Sequence, residues 1–298
     1  MTILDQLADY ARVRVEQAKG SVSAEAMKLS AEQLAKDETD IHRKAAELEQ
    51  EALAAHRQTA VEQTAQEGGS EAAQPEAWFR FERALSGPDI GFICEVKKAS
   101  PSKGLIAEHF PYLEIAKEYE AAGAECISVL TEPKWFLGSG EYLRQITEQV
   151  QTPCIRKDFT VDEYMIYEAK VLGASAVLLI CSLLDTKTLE RFIRTADSLG
   201  LSSLVEAHNE DEIRSAVTAG ARMIGVNNRN LKDFTVDVHN AERLRKLVPD
   251  GILFVAESGI SSAEDVRIMR EAGANACLVG ETLMRSQDKA AMLRSLRM

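Results

Sequence analysis

The sequence predicts a (β/α)8 TIM barrel preceded by an extended N-terminal helical region. Three observations predict it. From Trp78 onward, eight short β-prone runs alternate with amphipathic helical patterns. A Gly-Ala signature recurs just before several of those runs. The charged residues within and just after the runs gather at one end, the C-terminal one.

Residues 1–36 read as two amphipathic helices, with Ile3, Leu4, Leu7, Tyr10 and Ala11 on one stripe and Met27, Leu29 and Leu34 on the next. Gly20-Ser-Val-Ser23 separates them; Ser23 suits an N-cap, although Ala26 makes a poor capping box. From Asp37 to Gln66 the chain is rich in Ala, Glu and Gln. Ile41, Ala45, Leu48, Ala52 and Ala55 hold a heptad seam that Thr59 and Glu62 break, which predicts a solvated helix with a thin contact face. Gly68 to Pro75 reads as a flexible linker. The predicted organisation is a helical extension and linker over 1–75 and a barrel over 76–298.

The strand candidates are 91–96, 125–130, 153–156, 175–180, 202–206, 222–226, 252–256 and 275–279. Each is apolar enough to be covered on both faces, the pattern of a parallel sheet. The signature preceding them is Ala122-Gly-Ala124, Leu172-Gly-Ala174, Ala219-Gly-Ala221 and Ala272-Gly-Ala274, where Gly ends a helix and Ala enters the next strand. An open doubly wound sheet is the alternative, but no Gly-x-Gly-x-x-Gly follows an early strand.

Composition narrows the function. The 298 residues are 45% hydrophobic and 28% charged, as in soluble globular proteins, and no run reaches the roughly 20 apolar residues of a membrane helix. With no basic-then-apolar leader at Met1, a cytoplasmic location is expected. A net charge of −12 argues against nucleic acid or anionic lipid as partner, but leaves room for an anionic small molecule held by local cations. Five Cys without Cys-x-x-Cys spacing read as reduced core thiols, with a nucleophile as the alternative for Cys181 at the end of its run, and five His form no ligand pair. No metal is expected.

Strand ends carry the candidate chemistry. Strand one offers Glu95 and Lys97, strand two Thr131 and Glu132, and strand three Lys157 and Asp158. Strand four offers Cys181 and Ser182, strand five Glu206, and strand six Asn227, Asn228 and Arg229. Strands seven and eight end in Glu257-Ser-Gly-Ile260 and Gly280-Glu-Thr282. Two Lys and three Glu aimed at one barrel mouth are costly to bury unless they act on something. The last two loops are where barrels often hold a phosphate, Gly allowing close backbone approach.

Glu95-Val-Lys-Lys-Ala-Ser-Pro-Ser-Lys-Gly104 resembles the signature of indole-3-glycerol phosphate synthase, the ring-closing enzyme of tryptophan biosynthesis. The resemblance continues through Trp135-Phe-Leu-Gly-Ser139, Arg156-Lys-Asp-Phe159, Leu204-Val-Glu206, Gly225-Val-Asn-Asn-Arg229, Ala256-Glu-Ser-Gly-Ile260 and Leu278-Val-Gly-Glu281, covering about residues 78–298. It implies a (β/α)8 barrel that converts 1-(2-carboxyphenylamino)-1-deoxyribulose 5-phosphate to indole-3-glycerol phosphate, carbon dioxide and water without a cofactor. By motif, Lys157 resembles the general acid, Glu206 the acid–base residue of dehydration, Lys97 the holder of the anthranilate carboxylate, and Glu95 its orienting partner. Asn227, Arg229, Glu257 and Ser100 are similar to the substrate ligands. Ser258, Gly259, Gly280 and the backbone of Glu281 resemble the phosphate grip. The implied partner is a small phosphorylated substrate, and a monomer is expected, with a dimer as the alternative.

Two further expectations attach to this reading. Neighbouring cations should lower a buried Lys pKa, with nearby carboxylates limiting the fall. Gly280 should serve the approach of phosphate to backbone. Two departures from the family pattern stand out: the long 37–75 segment, and Leu137 in a loop that is often polar. The nearest competing activity, phosphoribosylanthranilate isomerase, wants Cys after strand one and Asp after strand six, where this chain has Glu95 or Lys97 and Asn227. A non-catalytic barrel would have lost one of these charges.

Overall fold

In the computed structural model, residues 2–60, 79–230 and 234–298 are described, the side chains of 45 and 48–60 excepted. Eight parallel strands close into a barrel: β1 (Gly91–Val96), β2 (Cys126–Leu130), β3 (Cys154–Lys157), β4 (Ala176–Ile180), β5 (Ser202–Ala207), β6 (Met223–Asn227), β7 (Leu253–Glu257) and β8 (Ala276–Val279), with β8 pairing back onto β1. Every expected strand is present, shifted by no more than a residue at most ends. A small antiparallel hairpin, Ala99–Ser100 with Gly104–Leu105, stands in the loop after β1.

The helices are α1 (Ile3–Ser21), α2 (Ala24–Ala60), α3 (Arg80–Ala84), α4 (Tyr112–Ala121), α5 (Gly140–Thr147), α6 (Glu163–Val171), α7 (Thr186–Ser198), α8 (Glu210–Thr218), α9 (His239–Arg245), α10 (Ala263–Glu271), α11 (Glu281–Arg285) and α12 (Lys289–Arg297). The four Gly of the repeated signature, at 123, 173, 220 and 273, all have φ between 80° and 85°. That left-handed turn is open to Gly without a Cβ clash and ends each helix short of its strand. Gly200, with φ of 71° between two Leu, ends α7 in the same way, and Gly251 has φ of 89° in the turn before β7.

Two apolar layers build the core. Ile93, Ile155, Leu204 and Val255 point into the barrel from β1, β3, β5 and β7, and Phe81 and Leu85 close its floor beneath them. Outward residues such as Phe92, Ile127, Val205 and Phe254 pack under the helices. The strand period of two thus separates an interior from a jacket.

The N-terminal region differs from expectation at residue 37. No boundary falls there: α2 continues without a break to Ala60. It lies on α6 through Met27, Ala31 and Ala35, and Glu38 pairs with Lys170 at 2.6 Å. Ser23 does cap α2, accepting from the Ala26 N–H, with no capping box; Thr2 and Asp5 make one for α1. Ile41 is exposed, consistent with a thin contact face, whereas Ala45, Leu48, Ala52 and Ala55 lie outside the described side chains and the expected linker at 68–75 outside the described residues. No described helix is long and apolar enough to cross a membrane.

Candidate active site

Two positions beyond the apolar interior residues of the odd strands come four charged ones: Glu95, Lys157, Glu206 and Glu257. Because alternate residues share a face, these four form the top layer of the barrel interior, where Val, Ile or Leu would serve stability. Their carboxylates and ammonium are nearly or wholly withdrawn from solvent. The even strands make room. A Cβ on Gly225 of β6 would strike the Glu257 carboxylate, and Ser128 of β2 hydrogen-bonds Glu95.

Lys157 Nζ stands 3.4 Å from Glu257 and 3.8 Å from Glu206. Burial alone would lower its pKa; Glu257, Glu206 and Glu95 outweigh that and hold it above the ordinary lysine value. The expected lowering by neighbouring cations is therefore overturned, because three carboxylates surround this ammonium. Glu257 goes the other way. Its burial, with Glu206 and Glu95 adding repulsion against the pull of Lys157, pushes it up to about 7. One of its oxygens, Oε1, has no hydrogen-bond partner, so it has capacity for a ligand hydroxyl. Glu95 is held low despite burial, by Lys97 and Lys157, and bonds Lys97 directly.

The layer forms the floor of a cavity of about 500 Å³ whose walls include Lys97, Ser100, Asn227, Arg229, Ser258, Gly259, Gly280 and Glu281. All twelve residues singled out from the sequence therefore meet in one cavity, though they span residues 95 to 281 of the chain. Lys103 and Arg285 both pair with Glu281 at the rim. Ser258 and Gly259 follow β7 with φ of 66° and 82°. Ser258 is thus a non-glycine held in a costly backbone region beside the site.

Other strand-end residues prove structural. Glu132 turns away and accepts the backbone N–H groups of Lys134, Trp135 and Phe136. Asp158 takes two hydrogen bonds from Arg14 of α1, at 2.7 and 3.0 Å, and one from Thr131. Asn228 ties the Ser258 carbonyl to the Ala241 N–H. The Cys181 thiol, pushed up to about 12 by burial, is no nucleophile. Leu137 is exposed with φ of 51°, and its neighbour Phe136 enters the cavity instead.

Gly280 has a nearer reason for its missing side chain than phosphate. A Cβ there would collide with the Glu95–Lys97 pair. Sequence reading also missed the apolar wall: Ile3, Leu4 and Leu7 of α1, with Phe136, Phe159, Leu130 and Ile180. Leu7 belongs to the α1 stripe that periodicity assigns to packing; only the docked helix shows that this stripe roofs a cavity. An apolar wall next to cations and carboxylates suits a ligand that is part apolar and part charged.

Comparison with known proteins agrees with this geometry. Residues 41–296 match the family model for indole-3-glycerol phosphate synthase. The chain is 61% identical over 219 residues to the indole-3-glycerol phosphate synthase of Ruminiclostridium cellulolyticum, covering 74% of this chain and 84% of that one. It is 49% identical over 242 residues to the enzyme of the same name from Lachnoclostridium phytofermentans, covering 81% and 89%. Among solved structures, 3-hexulose-6-phosphate synthase from Salmonella typhimurium matches with a TM-score of 0.58 at 16% identity, over 70% of this chain and 97% of that one, a likeness of fold alone.

Proposed function

The chain belongs to the indole-3-glycerol phosphate synthase family, and from that premise we propose how its barrel mouth divides the work of the reaction. The activity is that of a decarboxylating lyase of tryptophan biosynthesis, forming indole-3-glycerol phosphate from a small phosphorylated substrate. In the proposed mechanism the substrate's anthranilate ring lies against Phe136, Phe159, Leu4 and Leu7, and its carboxylate meets Lys97. Lys157 gives its proton to the carbonyl oxygen as the ring carbon attacks. The carbon–carbon bond to the carboxylate then breaks, and its electrons restore the aromatic ring. Glu206 removes the C–H proton and returns a proton to the new hydroxyl, which leaves as water. Electrons are conserved within the substrate, so the balance calls for protons alone.

Glu95 orients Lys97, while Asn227, Arg229, Glu257 and Ser100 take the sugar hydroxyls and carboxylate. A Glu257 pKa of about 7 fits a group that both donates to and accepts from hydroxyls. The phosphate is assigned to the ends of β7 and β8, at Ser258, Gly259, Gly280 and the Glu281 backbone. Residues 1–75 act as an extension that roofs the mouth through α1, and residues 76–298 as the catalytic barrel. A cytoplasmic monomer completes the reading.

The single observation that carries the assignment of the acid is the Lys157 ammonium, largely buried and set between Glu206 and Glu257 within 4 Å of each. A lysine placed for stability would not stand among three carboxylates at the top of an apolar core. Lys157→Ala is expected to lower turnover by about 10²–10⁴-fold, measured by indole fluorescence from the carboxyphenylamino-deoxyribulose phosphate, while a reduced substrate analogue still binds. Lys157→Arg should not restore it, since guanidinium is too weak an acid. Near-normal turnover in the Arg variant would move the acid's role to Lys97.

A further inference from the structure

Glu206 has a second neighbour that the roles above leave unused. His208 follows β5 directly, two residues on, and so returns to the face of Glu206. Its Nε2 lies 3.4 Å from Glu206 Oε1, is buried, and has no hydrogen-bond partner. Its Nδ1 lies 3.1 Å from Glu212 of α8 and 3.4 Å from the Ser182 hydroxyl. Glu212 is itself fixed, accepting the His208 backbone N–H at 2.8 Å and the Asn209 amide at 2.9 Å. On that far side the ring lines a second cavity of about 520 Å³, walled by Ser182, Asn209, Asp237 and Asn240 and touching the first through Asn227 and Arg229.

The reaction's proton count asks for such a link. The carbonyl oxygen gains one proton at ring closure and a second on leaving as water. The ring C–H returns one. The substrate's carboxylate enters ionised and departs as carbon dioxide, so each turnover takes one proton from solvent. Lys157 ends the cycle deprotonated beneath the roof of α1, and its nearest carboxylates are Glu257 and Glu206.

Resting on the assignment of Glu206 and Lys157 above, we propose that His208 is the proton relay that recharges the site from the second cavity. Its imidazolium passes the Nε2 proton to Glu206, which hands it across 3.8 Å to Lys157. The ring regains a proton from the side of Glu212 and Ser182, and exchange between its two tautomers closes the cycle. Glu206 from its own strand, Glu212 from α8 and Glu257 from β7 all face the imidazole. Against the lowering by burial, they raise its pKa above the ordinary 6.5. Ser182, after β4, and Asn240 of α9 are neutral contacts. The charged relay form therefore persists to higher pH than in an ordinary imidazole and is lost as pH rises through the raised value.

The test is His208→Gln, whose amide reaches the Nε2 position but cannot shuttle a proton, together with His208→Ala. His208→Gln is expected to lower kcat about tenfold with KM within about twofold, and to lack the alkaline fall of kcat that the relay predicts for the parent. Added 4-methylimidazole should recover turnover severalfold in His208→Ala, and thermal melting checks that both variants fold. If His208→Ala does not fold, the pH profile and KM–kcat split of His208→Gln decide alone. Parent-like kcat and pH profile in His208→Gln would overturn the relay, as would slow variants that keep the alkaline fall and gain nothing from methylimidazole. Glu206→Gln in the same assay separates the two layers of argument. Unimpaired turnover there removes the assignment of Glu206 itself; impaired turnover there with unimpaired His208→Gln removes only the relay.

Discussion

The two ends of the barrel use charge in opposite ways. At the floor, Arg222 just before β6 makes four hydrogen bonds, two to Glu82 of α3 at 3.0 Å and two to Asp197 of α7 at 2.8 Å, and stacks on Phe79 at 4.2 Å. Arg297 closes the chain end likewise, on Glu125, the Gly123 carbonyl and the Phe92 ring. At the mouth, Lys157 stands 3.4 and 3.8 Å from its carboxylates, while Glu257 Oε1 and His208 Nε2 have no hydrogen-bond partner. The floor's charges are matched donor to acceptor and hold the fold. Those of the mouth are held apart by packed strands and keep capacity for a ligand. Buried, underused polar groups cost stability. The buried hydroxyls of Ser202 and Ser203 at the start of β5 also lack partners, but the unpartnered ionisable groups Glu257 and His208 lie at the mouth, where that cost serves chemistry.

Substitutions can sharpen the contrast. The largest effect belongs to the mouth: Glu206→Gln should lower kcat by about 10²–10⁴-fold while the protein melts near the parent temperature. A ring-closed, still hydroxylated intermediate should then be caught by rapid quench. Loss of binding without that intermediate would place Glu206 among the substrate ligands instead.

Arg14 joins the roof to the site, and its removal should be felt as stability first. Arg14→Met leaves the buried Asp158 with Thr131 and a longer ion pair to Arg156 at 3.7 Å. Breaking a buried pair costs about 3–5 kcal/mol, and the surviving partners place this case near the lower end. Asp158 has its pKa lowered in the fold: burial would raise it, and Arg14 and Arg156 prevail. Its contribution is thus present above the ordinary Asp pKa and disappears as pH falls through the lowered one. Denaturant unfolding should show the gap between parent and variant narrowing below pH 4; a gap independent of pH would assign the loss to packing alone.

The smallest effect belongs to the floor. Arg222 and Asp197 are about one-third exposed, so Arg222→Gln should cost only about 1 kcal/mol despite four hydrogen bonds. Turnover should not change. A fall in kcat would mean that the floor's network reaches the mouth.

Much of this was legible in the chain because it is locally encoded. Period-two apolar runs mark the strands, Gly with φ near 80° ends the helices, and charges two residues beyond Ile93, Ile155, Leu204 and Val255 define the top layer of the interior. Parallel strands must deliver their C-terminal ends to one mouth, which gathers the candidates there; the family resemblance picked the twelve site residues, Ser100 by that resemblance alone. What lay beyond reach depends on neighbours distant in sequence. Periodicity gives Leu7 a packing stripe but cannot say that the stripe faces a cavity. Nothing in the local pattern singles out Arg14, yet Asp158, 144 residues away, makes it an anchor. Gly280 was read for phosphate, whereas the collision its Cβ would suffer is with Glu95 and Lys97. The Lys157 pKa rises because Glu206 and Glu257 arrive within 4 Å, and His208 becomes a bridge only when Glu206 and Glu212 flank its two nitrogens. Composition and pattern determine which residues face inward; the sign of a pKa and the job of a side chain follow from distances of a few ångströms, which closing the barrel and docking α1 alone decide.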